Sequence, residues 1–434
     1  MFSDGDVVID ESIDQDAGSQ ATGDRRAFLI ATTVGVLALV LGWLIGRTGG
    51  SDDVATGDTG PPVTTEVEPA ELPPGDTLPS AVTTITRPRP TTTTSTLAPP
   101  ARDFVEVDPR LAGIELTLVG VERGNVLVDL DLAAQTMTRR DLGGLRIEPG
   151  VLVAGDDWVA IASPYGEQIW VVGDDGLREQ VDLGEPWGLL WQAGTDRFWR
   201  EVDEFGWDQS AFSEPTTYEE IDLTGEPTGV VLELPFDMWS WQTDPGGGLL
   251  VERAGKLYTV DESSISLIGT GELIALSGDI ALMRDCDEQL VCGLFVVDRS
   301  SGDVRPLPVG TVAGEPKLVG AMWGWFSSAM SNTISPDGEM CAVMVSAADG
   351  PVLALLDLRS GDVVEVGEDH AVPMVVWSPD GRFVFFLTGY DGFGTYEGGD
   401  LNAYDRRTGE VFPVLSEIGA WESLVARPGT GDSA

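Results

Sequence analysis

From about residue 101 onward the hydrophobic positions fall in short runs, such as Leu294-Phe-Val-Val, Leu353-Ala-Leu-Leu and Phe383-Val-Phe-Phe-Leu. Gly, Asp and Pro separate these runs. β-Branched and aromatic residues suit a pleated, half-buried surface, and no segment of this region sustains a helical period. The pattern therefore predicts a nearly all-β domain over 101–434. Two earlier stretches break it. Ala27 to Gly46 is twenty residues without a charge, and 48–100 has almost no large apolar residues.

Within the β region one hairpin recurs seven times: an apolar strand ending in Asp, a polar turn, then a second short strand. The clearest copies end in Asp298 (followed by Arg-Ser-Ser-Gly-Asp-Val), Asp357 (Leu-Arg-Ser-Gly-Asp-Val) and Asp405 (Arg-Arg-Thr-Gly-Glu-Val). Weaker copies end in Asp131, Asp174, Asp222 and Asp261, and successive steps are 43, 48, 39, 37, 59 and 48 residues. A period in the forties with several strands per unit marks a β-propeller blade, so seven blades are expected. The Asp carboxylate can accept N–H groups of the turn, and the Gly supplies a positive φ.

A second hairpin precedes each of these. Ile334-Ser-Pro-Asp-Gly338 leads into Met340–Ser346, and Trp377-Ser-Pro-Asp-Gly381 leads into Phe383–Thr388. With a strand ending in Asp and a Thr/Ser-Gly turn following, this arrangement resembles the TolB-type, WD-repeat-like propeller repeat. Trp191-Gln-Ala-Gly-Thr-Asp196 and Trp241-Gln-Thr-Asp-Pro-Gly246 look like degenerate copies. The resemblance implies a propeller fold, in a family whose members bind proteins, sit beside peptidase domains or serve as scaffolds.

Four strands per blade follow. Blade 2 is assigned Val151–Ala154, Trp158–Ala162, Gln168–Val172 and Glu179–Leu183, and blade 1 begins with Ile114–Val121 and Asn125–Asp131. Blade 1 then lacks an innermost strand, which Trp421–Gly429 is expected to supply, closing the ring without a long free edge.

The charge-free segment 27–46 spans roughly 30 Å as a helix, the thickness of a bilayer's hydrocarbon core. Arg25 and Arg26 precede it and Arg47 follows, which predicts a cytoplasmic tail at 1–26 and everything beyond the span outside the cell. Asp24-Arg-Arg-Ala-Phe-Leu29 also resembles a twin-arginine export signal; an uncleaved anchor is the preferred reading. Residues 47–100 read as a Thr/Pro-rich linker, with fourteen Thr and ten Pro in 48–100. Such a composition buries too little apolar surface to offset its ordering entropy, so an extended stalk is expected.

Composition then narrows the function. The chain has 434 residues, 72 acids against 25 bases, and a formal charge of −47. Nucleic-acid backbones and anionic bilayer surfaces demand clustered Lys and Arg, so neither is an expected ligand. One His and three Cys leave no His-rich zinc site. No Gly-x-Ser-x-Gly elbow or Walker loop occurs. Cys286 and Cys292 read as a disulfide stapling a hairpin of blade 5, and Cys341 as a buried free thiol. No cofactor is expected, with calcium left open for acidic loops such as Asp391 to Asp400.

The candidate ligand-binding residues are aromatics, with an acidic neighbour, in connections on the edge opposite the Ser-Pro-Asp-Gly turns: Trp187, Phe205, Trp207, Trp239, Trp323, Trp325, Tyr390, Asp391, Phe393 and Tyr396. The resulting expectation is a single-pass membrane protein that displays a seven-bladed propeller outside the cell as a non-catalytic module recognising an envelope protein or glycan. The alternatives are a glycosidase- or lyase-type enzyme using face carboxylates, and a structural cell-surface spacer.

Overall fold

The computed structural model describes residues 91–122, 125–142, 151–162, 168–182, 189–192, 195–202, 216–234, 239–286, 292–308, 333–347, 350–366, 371–388, 400–415 and 421–427. The tail 1–26, the span 27–46 and the linker up to residue 90 lie outside them. Among the described residues no helix is long and apolar enough to cross a membrane.

The described strands form seven antiparallel sheets in chain order. Blade 2 is Val151–Ala154, Trp158–Ala162, Gln168–Gly173 and Leu177–Asp182, matching the expected strands to within two residues. Blade 3 runs from Leu189–Trp191 to Pro227–Leu234, blade 4 from Trp239–Thr243 to Ile265–Thr270, and blade 5 from Glu272–Leu276 to Val304–Leu307. Blade 6 has Met340–Ala347, Gly350–Asp357 and Val363–Glu365, with a bridge from Ile334 to Cys341 on its inner side. Blade 7 runs from Ala371–Trp377 to Glu410–Pro413.

Blade 1 is built from both ends of the described chain. Trp421–Ala426 pairs antiparallel with Thr117–Glu122 as the innermost strand, as the repeat arithmetic requires. Gly120 makes that approach possible: a Cβ there would lie 2.3 Å from the Trp421 ring and 2.7 Å from the Ser423 carbonyl oxygen. Val126–Asp131 and Thr136–Asp141 follow outward, and Ala101–Phe104 adds a fifth strand on the outer edge.

Blade 2 also carries a fifth strand, and here the composition-based boundary needs correcting. Thr91–Thr96, assigned to the stalk, pairs antiparallel with Leu177–Asp182 over six residues. Apolar burial was the wrong criterion for this segment. An outer strand docks by backbone hydrogen bonds to an otherwise open edge, and β-branched Thr suits that conformation.

Seven apolar clusters fill the seven gaps between neighbouring blades. Blades 1 and 2 share Val119, Val121, Leu152 and Ile161, blades 2 and 3 share Val153, Ile169, Phe198 and Ile221, and blades 3 and 4 share Trp199, Tyr218, Leu249 and Val251. Leu250 meets Leu273 between blades 4 and 5, Leu294 meets Val343 between 5 and 6, and Leu355 meets Phe386 between 6 and 7. The cluster between blades 7 and 1 includes Phe383, Phe385, Leu118, Leu130 and the fully buried Trp421. A complete circuit of packed interfaces is what makes the seven sheets a closed ring.

Candidate recognition surfaces

The two hairpins of each blade turn on the same edge, and backbone hydrogen bonds tie the turns together. Asp174 N donates to Asp157 O at 3.0 Å, Arg299 N to Asp279 O at 2.9 Å, Leu358 N to Glu339 O at 2.8 Å, and Arg406 N to Arg382 O at 3.0 Å.

The outer turns of this turn edge repeat one local solution. Asp298 Oδ1 accepts the Ser300 and Ser301 N–H groups at 3.0 and 2.9 Å, while Asp357 Oδ1 accepts those of Arg359 and Ser360 at 2.8 and 2.7 Å. Asp405 accepts Arg407 N at 2.9 Å through Oδ1, and accepts Arg382 Nε through Oδ1 and Nη2 through Oδ2. These contacts favour the anion. The Ser300 hydroxyl hydrogen bond leads in lowering the Asp298 pKa, the Ser360 N–H in lowering Asp357, and the Arg382 guanidinium in lowering Asp405. In the Ser-Pro-Asp-Gly turns the Ser hydroxyl closes the hairpin: Ser335 Oγ accepts Met340 N at 2.9 Å and Ser378 Oγ accepts Phe383 N at 2.8 Å. Each hydroxyl then donates to the Asp two residues on.

Arginines fasten blade to blade across this edge. The residue after the strand-ending Asp is Arg299 in blade 5 and Arg406 in blade 7. Arg299 donates to the Ser277 carbonyl of its own blade and pairs with buried Asp244 of blade 4. Arg406 likewise donates to the Gly381 carbonyl at 2.7 Å and reaches Asp337 of blade 6 at 2.8 Å. Where that position is Leu132 or Leu358, the side chain is instead fully buried in the gap behind it.

Arg427, one residue past the closing strand, joins blade 1 to blade 2. It donates to the carbonyls of Gly155 and Asp156 at 3.1 and 3.0 Å, and to the carboxylates of Asp129 and Asp174 at 3.2 and 3.1 Å. Burial raises the Asp129 pKa, and the Arg427 charge opposes that shift. Cys286 and Cys292 face each other across the blade 5 hairpin and form a disulfide. Cys341 is a free thiol pushed up to about 12 by burial, so it carries no nucleophilic thiolate near neutral pH.

A cleft of about 510 Å³ opens on the turn edge of blade 2, lined by Asp157, Trp158, Val171, Gly173, Asp174, Asp175 and Glu179. The strand register puts Trp158, Val171 and Glu179 on one face, and Trp158 and Val171 pack on the cluster shared with blade 3.

The other edge holds the strand ends at which the candidate-bearing connections attach. The strand ends at Asp182, Glu201, Leu307 and Thr388 put the attachments of the connections carrying Trp187, Phe205, Trp207, Trp323, Trp325, Tyr390, Asp391, Phe393 and Tyr396 there. Those nine residues themselves lie outside the described residues. Trp239 is the first residue of the inner strand of blade 4, paired in register with Glu252. Sequence reasoning missed the arginine clips and the blade 2 cleft; the recurring Asp-Arg pair after the third strand of blades 5 and 7 was the available signal.

No family model matches the chain, and no curated protein matches it. Similar solved structures include TolB from Acinetobacter baumannii, 13% identical, covering 70% of this chain and 79% of that one with a TM-score of 0.38. A protein from Lactobacillus plantarum is 16% identical, covers 72% of this chain and 99% of its own, and has a TM-score of 0.44. An oligogalacturonate lyase in complex with manganese is 13% identical, with coverages of 71% and 96% and a TM-score of 0.41.

Proposed function

We propose that this chain is a membrane-anchored, extracytoplasmic propeller of the TolB-type kind, acting as a non-catalytic module that recognises an envelope protein or glycan. One observation carries the reading. The ring is closed by its own last strand and clipped along the turn edge, so the connections of the opposite edge are attached to a rigid frame. Rigid presentation lowers the ordering cost of binding, and aromatic side chains supply contact area with few rotors. The described turn-edge carboxylates support the same reading from the other side: Asp298, Asp357 and Asp405 are held ionised by turn N–H groups, a hydroxyl and an arginine, which is structural use.

The test presents the full chain in detergent to a glycan array and, in parallel, cross-links it to envelope proteins. Saturable capture that drops about tenfold or more in the Trp207→Ala, Tyr396→Ala double variant is the expected result. Capture unchanged by those substitutions, or turnover of a glycan that disappears on Asp→Asn change, would replace recognition with another function.

A further inference from the structure

The chain enters the ring as a strap along its outer rim. Ala101–Phe104 lies on the outer edge of blade 1 and Thr91–Thr96 on that of blade 2, each antiparallel to the strand it covers. Thr92, Thr93, Thr94 and Thr96 are exposed, so backbone pairing rather than burial holds the blade 2 strand. At its end Leu97 donates its N–H to the Gly176 carbonyl at 2.9 Å and packs on the cluster between blades 1 and 2. Four residues, 97–100, then carry the chain to blade 1, and Pro99 and Pro100 stiffen that link. Followed toward the N-terminus, the strap advances by one blade in ten residues, from Ala101 to Thr91.

The preceding ten residues, which lie outside the described residues, repeat this plan in sequence. Ala81-Val-Thr-Thr-Ile-Thr86 has five β-branched residues in six, and Arg87-Pro-Arg-Pro90 follows as a second four-residue link with two prolines. One step further back the plan stops, because Glu71-Leu-Pro-Pro-Gly-Asp76 would place Pro and Gly inside a strand. The next blade in the direction of travel is blade 3. Its outermost strand, Pro227–Leu234, is eight residues long, and among the described residues it pairs only with Thr216–Asp222. The outermost strands of blades 5, 6 and 7 have four, three and four residues. A long open edge beside a strap already crossing in its direction is a template for one more strand. Charge agrees with this. Residues 216–234 carry Glu219, Glu220, Asp222, Glu226 and Glu233 and no base, whereas 81–90 carries Arg87 and Arg89 and no acid. Those two are the only bases between Arg47 and Arg102.

We propose that 81–86 docks as a fifth, outermost strand on Pro227–Leu234, so that the strap spans blades 1, 2 and 3. It runs antiparallel, as the other two strap strands do, which brings residue 81 to the edge where the connections attach and residue 86 toward the turn edge. Arg87 and Arg89 then pass the acidic outer hairpin of blade 3 on the way to blade 2. The part of the linker off the ring ends at residue 80. This docking rests on the strap and the open edge, and stands or falls independently of the recognition reading.

The test is hydrogen exchange read by mass spectrometry on the full chain in detergent, following the fragment that covers 227–234. The amides of that strand that do not bond to Thr216–Asp222 are expected to be protected in the parent chain. Thr83→Pro with Thr84→Pro removes donors that a docked strand needs, and should speed their exchange about tenfold or more while Leu177–Asp182 keeps its protection. Arg87→Glu with Arg89→Glu should weaken protection in the same fragment while leaving 81–86 unaltered. The proposal is overturned if those amides exchange freely in the parent, if neither variant changes them, or if the loss appears at Ile265–Thr270 of blade 4 instead. Protection that fades on dilution would also overturn it, because the covering strand would then come from a second copy.

Discussion

Arg427 is the residue on which the blade 1–blade 2 junction converges, with five acceptors from both blades within 3.4 Å. Its partner Asp129 is buried enough that its pKa is raised. Removing the guanidinium strands that carboxylate, so Arg427→Met should cost about 3 kcal/mol in urea unfolding, with Asp129→Asn recovering part of the loss. The two changes together should therefore be less than additive, and a strictly additive double variant would show that the pair is not coupled. None of this was legible in the sequence, because Arg427 and Asp129 are 298 residues apart. The Asp298, Asp357 and Asp405 turns were legible, since each carboxylate serves N–H groups two or three residues on.

At the scale of elements, Trp421–Ala426 does for blade 1 what an inner strand does elsewhere, and it brings Trp421 and Leu424 into the blade 7–blade 1 cluster. Deleting 421–434 removes that strand, its aromatic anchor and Arg427 at once. The cooperative thermal transition should be lost, and a truncated chain that melts sharply at the parental temperature would refute the closure argument. The disulfide hairpin is a smaller matter. It closes a short loop in a strand pair already held in register, so Cys286→Ser with Cys292→Ser should lower stability by about 2 kcal/mol and leave the ring folded. Thr91–Thr96 shows where element-level reading fails: the segment's own composition is that of a spacer, and only the open edge of Leu177–Asp182 makes it a strand.

For the whole molecule, charge and pH set the conditions of stability. Of the 72 acids, 58 lie in 101–434 against 20 bases, so the compact ring repels itself. Added salt should raise its melting temperature at neutral pH by screening that repulsion. Acid acts through the capped turns. Asp298, Asp357 and Asp405 have folded pKa values below the ordinary 3.8, so their contribution is full above that value and lost as pH falls through the lowered ones. Asp129 runs the other way: with its pKa raised, the fold favours its protonated form, and the penalty of burying its charge is relieved as pH falls. The urea midpoint should therefore drop below about pH 4, and Asp405→Asn should flatten that limb while lowering stability at pH 7. What the sequence by itself determined was local and periodic: short strands, Asp- and Gly-dependent turns, seven repeats, and an inner strand missing at one end and present at the other. Each follows from interactions spanning a few residues or from counting. Tertiary structure decided which blades are clipped by arginine, which are plugged by leucine, and where neither happens. Those outcomes depend on side chains of successive blades meeting across a gap, and sequence spacing does not encode that distance.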